Sequence, residues 1–340
     1  MRVIEQPFPT GLFVHPNAQH AFGELTSNAN LLDLVEQFRY GQIALVGFTR
    51  SGGLAIAFDD CGPLKSVKRL TTVGSGTVPD AVAENQDEIL NLQFKRFEFA
   101  NFLAGAIFGR LSALTHSGLM GAYYVAMSDA MSCGLDRSGE LRIPPQPGLA
   151  QVVKAQAHSV MSSRSAGNIV TPEHLSQIIG FLDHLSSKEK LFRSASLQRC
   201  MLMNYQAAIL HEQQQSSASL AVNFSVAEAL IDEIFWGNGL VGKQDVPDRG
   251  DAKPKINISR SEFKKKWIGE KVDTLYELDI ISGYLRNRLS NAKKARNDLM
   301  HRNETVHIRQ SGELQTVVRD LWAFLLDLEF ELNASFAYRI

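Results

Sequence analysis

From Thr171 to the end of the chain, apolar residues recur at three-and-four spacing in one segment after another, a period that fits helix and little else. Thr171-Pro172-Glu173 reads as a helix start, a threonine cap followed by proline in the first turn. A second helix is predicted from about Lys188 to His211, with Leu191, Leu202, Tyr205 and Ile209 on its apolar side. A third runs from Ser217 to Trp236, carrying Leu220, Phe224, Ala227, Ile231 and Ile234. Gly237 to Ile258 is a polar loop, after which helix resumes near Ser261 and reaches Leu289. The last helix is predicted over Glu313–Leu332, with Leu314, Val317, Leu321, Leu325, Leu328 and Leu332 as a stripe. Five or so helices with short connections make an all-α bundle over residues 166–340.

The first 165 residues read differently. Leu31 to Phe38 has the pattern of a short amphipathic helix followed by Gly41. Gln42–Phe48 and Leu54–Phe58 read as strands joined by the hairpin chemistry of Thr49-Arg50-Ser51-Gly52-Gly53. A long helix follows from about Asp80 to Leu114, with Leu90, Phe94, Phe97, Phe99, Phe102 and Leu103 among its apolar residues. Ile143-Pro144-Pro145-Gln146-Pro147-Gly148 and the connector His158–Ser165 then place a boundary near residue 165. The expected fold is α+β: a mixed N-terminal domain over 1–165, suited to sensing or partner binding, and the helical domain over 166–340.

Composition excludes several classes. With 44% hydrophobic and 21% charged residues the chain is neither disordered nor fibrous. Cys61, Cys133 and Cys200 are odd in number and show no CxxC spacing, which argues against a disulfide framework or thiolate zinc and for a reducing cytosol. No apolar run reaches the roughly 18 residues of a membrane span, and the first residues meet proline too soon for a signal peptide, so a cytoplasmic protein is expected. Net charge is −1, yet residues 251–310 hold 14 Lys and Arg against 8 Asp and Glu. Such a concentration of positive charge points to an anionic partner, nucleic acid above all, or to a solvated helix face.

Within that basic stretch lies Ala295-Arg296-Asn297-Asp298-Leu299-Met300-His301. Arg-x4-His spacing alone is weak: about half a match per chain of this composition arises by chance. A second match, Arg302 to His307, is present. The first is distinguished by the helix and lysines before it and by Leu299-Met300 as an apolar anchor; the second has Thr305-Val306 instead.

This wording resembles the HEPN superfamily, whose signature is arginine, usually a polar residue, a few more positions, then histidine. The resemblance extends over the helical layout from about 171 to 335 and to the glutamate-bearing Phe224-Ser225-Val226-Ala227-Glu228-Ala229-Leu230. It implies a metal-independent endoribonuclease with no cofactor, forming a 2′,3′-cyclic phosphate. His301 would move the proton of a ribose 2′-hydroxyl, Arg296 would hold the phosphate, Asn297 would orient one of them, and Glu228 would pair with Arg296 or support packing. A histidine near neutrality and a permanently charged two-point donor suit those tasks. Lys264, Lys265, Lys266, Lys293, Lys294 and Arg302 are the candidate RNA contacts. Five residues on one helix turn through about 500°, leaving Arg296 and His301 about 140° apart, so either a helix begins inside the motif or two copies of the site cooperate. The family's pairing of motifs across a dimer cleft implies a homodimer. Members often act as toxins or defence effectors under a regulatory partner; others are inactive scaffolds binding RNA or protein.

Other candidates carry less. His211-Glu212-Gln213-Gln214-Gln215 misses the zincin pattern at its last residue and reads as a polar helix end. Gly74-Ser75-Gly76 lacks the lysine of a phosphate loop, His116 and Ser117 have no partners in the sequence, and Cys200 sits on an apolar helix face. The run from the Ile43–Phe58 hairpin to Thr72-Val73-Gly74-Ser75-Gly76 resembles a central fragment of proteasome-type N-terminal-nucleophile hydrolases. It lacks their initial strands and a Thr, Ser or Cys nucleophile, so no activity or residue is carried over.

Overall fold

The computed structural model describes residues 4–7, 11–16, 21–22, 31–59, 68–71, 86–115, 124–126, 131–136, 138–143, 169–187, 195–237, 265–302 and 304–332. The fold is α+β, and it divides into two compact units: residues 1–107 with 120–193, and residues 108–119 with 194–340.

The first unit is built on strands that pair antiparallel except for one two-residue parallel pair. Strands β1 (Ile4–Pro7) and β7 (Lys68–Thr71) pair with each other, and β3 (Ala21–Phe22) pairs with β10 (Ile169–Val170). The main sheet has six strands in the order β4 (Leu34–Tyr40), β5 (Ala44–Thr49), β6 (Leu54–Phe58), β2 (Gly11–Val14), β8 (Met131–Leu135) and β9 (Leu141–Arg142). The predicted β5–β6 hairpin is present, with Val46 opposite Ile56 and Phe48 opposite Leu54. Residues 34–38, read as the end of an amphipathic helix, belong to β4 instead. Phe38 and Tyr40 turn inward while Gln37 and Arg39 face water, a period of two that a bulge near Val35 interrupts upstream. Gly41, at φ +52, serves the β4–β5 hairpin rather than a helix end; either role asks for the left-handed backbone that glycine supplies.

Helix α1 (Gln86–Thr115) follows, its residues up to Ile107 belonging to the first unit and the remainder to the second. Tyr40 meets Phe99 and Phe102 edge-on, with centroids 5.3 and 6.0 Å apart, so aromatic rings join the helix to the sheet. Helix α2 (Pro172–Ser187) starts as predicted, with the His174 amide donating to Thr171 Oγ1, and clusters with this first unit.

The second unit is helical. Helix α3 (Ala195–Glu212) and helix α4 (Ser216–Gly237) form a hairpin closed at Gln214, which is left-handed at φ +62 and lets the Gln215 amide reach back to the Leu210 carbonyl. The helix predicted over 261–289 is two helices, α5 (Ile268–Glu277) and α6 (Gly283–Arg302). Asp279, left-handed at φ +50, ends α5, and Ser282 Oγ accepts from the Leu285 amide to start α6. The last helix, α7, spans Ile308–Leu326; Asp327 at φ +55 stops it six residues before Leu332, although Phe330 and Leu332 remain buried. Trp322, Tyr205, Phe235 and Phe330 are the largest fully buried side chains of this core. Cys200 is buried, as its apolar helix face implies. His211 is not a surface helix end. It is buried with Nδ1 3.0 Å from Ser311 Oγ, which donates to Ser219 Oγ, which donates to the Ala207 carbonyl.

Among the described residues no helix is long and apolar enough to cross a membrane. The predicted loop from 238 to 258, Gly74-Ser75-Gly76, His116, Ser117, Cys61 and the connector at 158–165 lie outside the described residues, as does Lys264.

Candidate functional site

Helix α6 positions the motif. Its buried stripe is Leu285, Leu289, Ala292 and Ala295, and the small alanines near its C-terminal half let it pack closely on its neighbours. The motif lies wholly within this helix and finishes one residue before its end. A helix does not begin inside the motif, and Arg296 and His301 are about 140° apart around one axis.

Arg296 is half-buried on the side of α4. Its guanidinium lies 5.9 Å from the centroid of the Phe224 ring and donates to Asn297 Oδ1 at 3.3 Å. Phe224, Glu228 and Asp232 stand four residues apart on α4 and so share one of its faces. Burial pushes the Glu228 carboxyl above its ordinary value, while the positive charges of Arg296 and Lys271 oppose that shift and Asp232 adds to it. Lys271 on α5 is buried and donates to Asp232 Oδ1 at 2.8 Å, joining α5 to α4. The structure therefore brings Arg296 and Glu228 into one electrostatic cluster. Its other half, Lys271 with Asp232, was missed in the sequence, although the Phe224, Glu228, Asp232 spacing was the available signal.

Asn297, while accepting from Arg296, also reaches a second surface. With Lys293, Lys294 and Arg302 it lines a groove of about 510 Å³ between α5 and α6, whose opposite wall includes Ile268, Gly269 and Asp273. Gly269 matters here because a Cβ at that position would lie 2.7 Å from Lys293 Nζ; its absence leaves room for the ammonium against the helix. Arg302 ion-pairs with Asp298 at 3.4 Å and reaches Glu304 at 4.0 Å. Lys265 and Lys266 stand just before α5, the former exposed and the latter half-buried.

His301 is exposed on the last turn of α6, one turn beyond Asn297, and has no hydrogen-bond partner among the described residues. The expected anchor beside it is only partial: Leu299 is half-buried, but Met300 is 59% exposed. The second Arg-x4-His match resolves into a helix cap. His307 is the N-cap of α7, where its Nδ1 accepts from the Arg309 amide while Gln310 Oε1 accepts from the His307 amide.

Among the described residues no group of three or more His, Cys, Asp or Glu is arranged to hold a metal ion. No family model, no curated protein and no solved structure matches the chain.

Proposed function

We propose that this chain is a metal-independent endoribonuclease of HEPN type that works as a homodimer in the cytoplasm. The reading is carried by how α6 divides the motif. Arg296 lies toward α4 beside Glu228, while Asn297 and His301 occupy adjacent turns on the side that carries Lys294 and the groove. In the proposed reaction the ribose 2′-hydroxyl gives its proton to the His301 imidazole as its oxygen bonds to the adjacent phosphorus. The bond from phosphorus to the 5′-oxygen breaks, leaving a 2′,3′-cyclic phosphate and a 5′-hydroxyl whose proton comes from the imidazole of the second copy. Arg296 neutralises charge growing on the phosphoryl oxygens, and Glu228 keeps the guanidinium oriented. Because about 140° separates the two side chains on one helix, the second copy supplies the complement that one protomer cannot. The first unit then serves as the sensing or partner-binding part that holds a toxin or defence effector in check.

A second reading, an inactive HEPN scaffold that binds RNA or protein, is favoured by one observation: the Arg296 guanidinium is already engaged by Phe224 and Asn297 within the chain. The two separate on one experiment, in which purified protein is incubated with RNA in EDTA alongside His301→Ala and Arg296→Ala. Cleavage that survives EDTA and vanishes in both variants supports the nuclease. RNA binding without cleavage under any condition supports the scaffold, and cleavage that EDTA abolishes and Mg²⁺ restores overturns the metal-free mechanism.

A further inference from the structure

The groove between α5 and α6 contains two carboxylates, and both have partners. Asp273 accepts from Arg286 at 2.7 Å, and Asp298 pairs with Arg302. Lys293 and Lys294 line the same groove and have no ion pair among the described residues, so its uncompensated charge is positive. The α5–α6 segment also carries aromatic rings. Tyr276 and Tyr284 each have a face taken by a guanidinium, Arg286 at 4.7 Å and Arg288 at 4.6 Å. Trp267 differs. It immediately precedes Ile268 of the groove wall, is 77% exposed, and has no ring or cation contact among the described residues. An exposed indole one residue from the wall of a groove that holds unpaired lysines supplies the chemistry of a site for an unpaired nucleotide: a π-face for the base and ammonium groups for its phosphates.

We propose that Trp267 is a base-stacking platform: an unpaired RNA base lies on the indole while Lys293 and Lys294 hold the flanking phosphates in the α5–α6 groove. This deepens the ribonuclease reading and rests on it. A duplex hides its base faces, so the platform makes the groove discriminate in favour of unpaired RNA, whereas the lysines act on both forms.

The test measures fluorescence polarisation of a labelled twelve-residue oligouridylate and of a labelled RNA duplex of equal length, at one fixed salt concentration. Wild type is compared with Trp267→Ala, Trp267→Phe and Lys293→Gln/Lys294→Gln. Trp267→Ala is expected to weaken oligouridylate binding on the order of ten-fold or more, with duplex binding unchanged and Trp267→Phe retaining most of the affinity. The lysine pair is expected to weaken both ligands. Thermal melting guards against misfolding, since a side chain this exposed contributes little to the core. Unchanged oligouridylate binding in Trp267→Ala, or an equal loss for both ligands, overturns the platform while leaving RNA binding intact. If no variant, wild type included, binds either RNA, the ribonuclease reading fails and the platform falls with it.

Discussion

Residues 296–301 and 302–307 have the same arginine-to-histidine spacing and opposite surroundings. His307 stands outside any helix, with extended backbone at φ −71 and ψ 143, and its ring nitrogen accepts one of the free amides at the start of α7. Its arginine, Arg302, lies on a different element and is held by Asp298 and Glu304. His301 lies on the last turn of α6, where its own amide is already bonded along the axis; its imidazole has no hydrogen-bond partner among the described residues and remains exposed. Arg296, on the same helix, is drawn against Phe224 toward Glu228. Spacing does not separate a cap from a candidate catalytic pair; the position of the histidine relative to a helix end does. A histidine that completes an N-cap is occupied, and one on a last turn facing water is available to a substrate.

The strongest way to break that contrast is to exchange the two histidines' fates. We predict that His301→Ala lowers RNA cleavage by about 10²- to 10⁴-fold, the range for losing a positioned general acid–base group, while His307→Ala leaves the rate within about two-fold. Single-turnover assays on a labelled RNA read both. Equal losses from the two substitutions would show that His301 has no special standing.

A smaller effect separates the groove from its surroundings. Each phosphate contact to single-stranded RNA contributes about 0.7 to the slope of log affinity against log salt. Lys293→Gln/Lys294→Gln should therefore flatten that slope by roughly 1.4, whereas Lys265→Gln, outside the groove lining, should flatten it less. An unchanged slope in the groove variant would assign those lysines to solubility alone.

How much of this was legible varies with the physics at each place. The second and third bundle helices, the β5–β6 hairpin and the Thr171 cap follow from local spacing and local hydrogen bonds, which sequence carries directly. Residues 31–38 misled because Leu31, Leu34, Val35 and Phe38 satisfy a helical period, while the bulge near Val35 hides the period of two that pairing with β5 enforces. The break between α5 and α6 was visible in Asp279 and Ser282, a left-handed stop and a cap, but the apolar period on either side concealed it. The Arg296–Glu228 cluster was half legible, since both residues were singled out without the helix crossing that joins them. Nothing in spacing reveals that α5 meets α6 to form a groove whose wall begins one residue after Trp267; that comes from a tertiary arrangement of helices separated by a sharp turn.

Smaller still is the cap itself. His307→Ala should cost about 1 kcal/mol of stability in the helical unit, the usual value of an N-cap side chain, and His307→Asn should recover most of it because asparagine caps well. Chemical denaturation followed by circular dichroism checks both. A silent His307→Ala would mean that the Gln310 half of the capping box suffices.

A third histidine supplies the mildest test, because it is neither a cap nor open to water. Burial holds the His211 imidazole below its ordinary value, with the Ser311 hydroxyl beside it. The unfolded chain therefore takes up a proton before the folded one as pH falls below about 6.5, and stability present above that pH is lost on acidification. Glu228 contributes with the opposite sign: its raised carboxyl favours the folded state at low pH and loses that contribution as pH rises through the carboxylate range. Comparing His211→Asn with its parent in a Glu228→Gln background removes the second contribution. The parent's melting temperature should then fall more steeply between pH 7 and pH 5 than that of His211→Asn, even though the substitution lowers stability at pH 7. Parallel curves would show that the buried imidazole is charged as readily in the folded chain as in the unfolded one, and that its partners, not its burial, set its protonation.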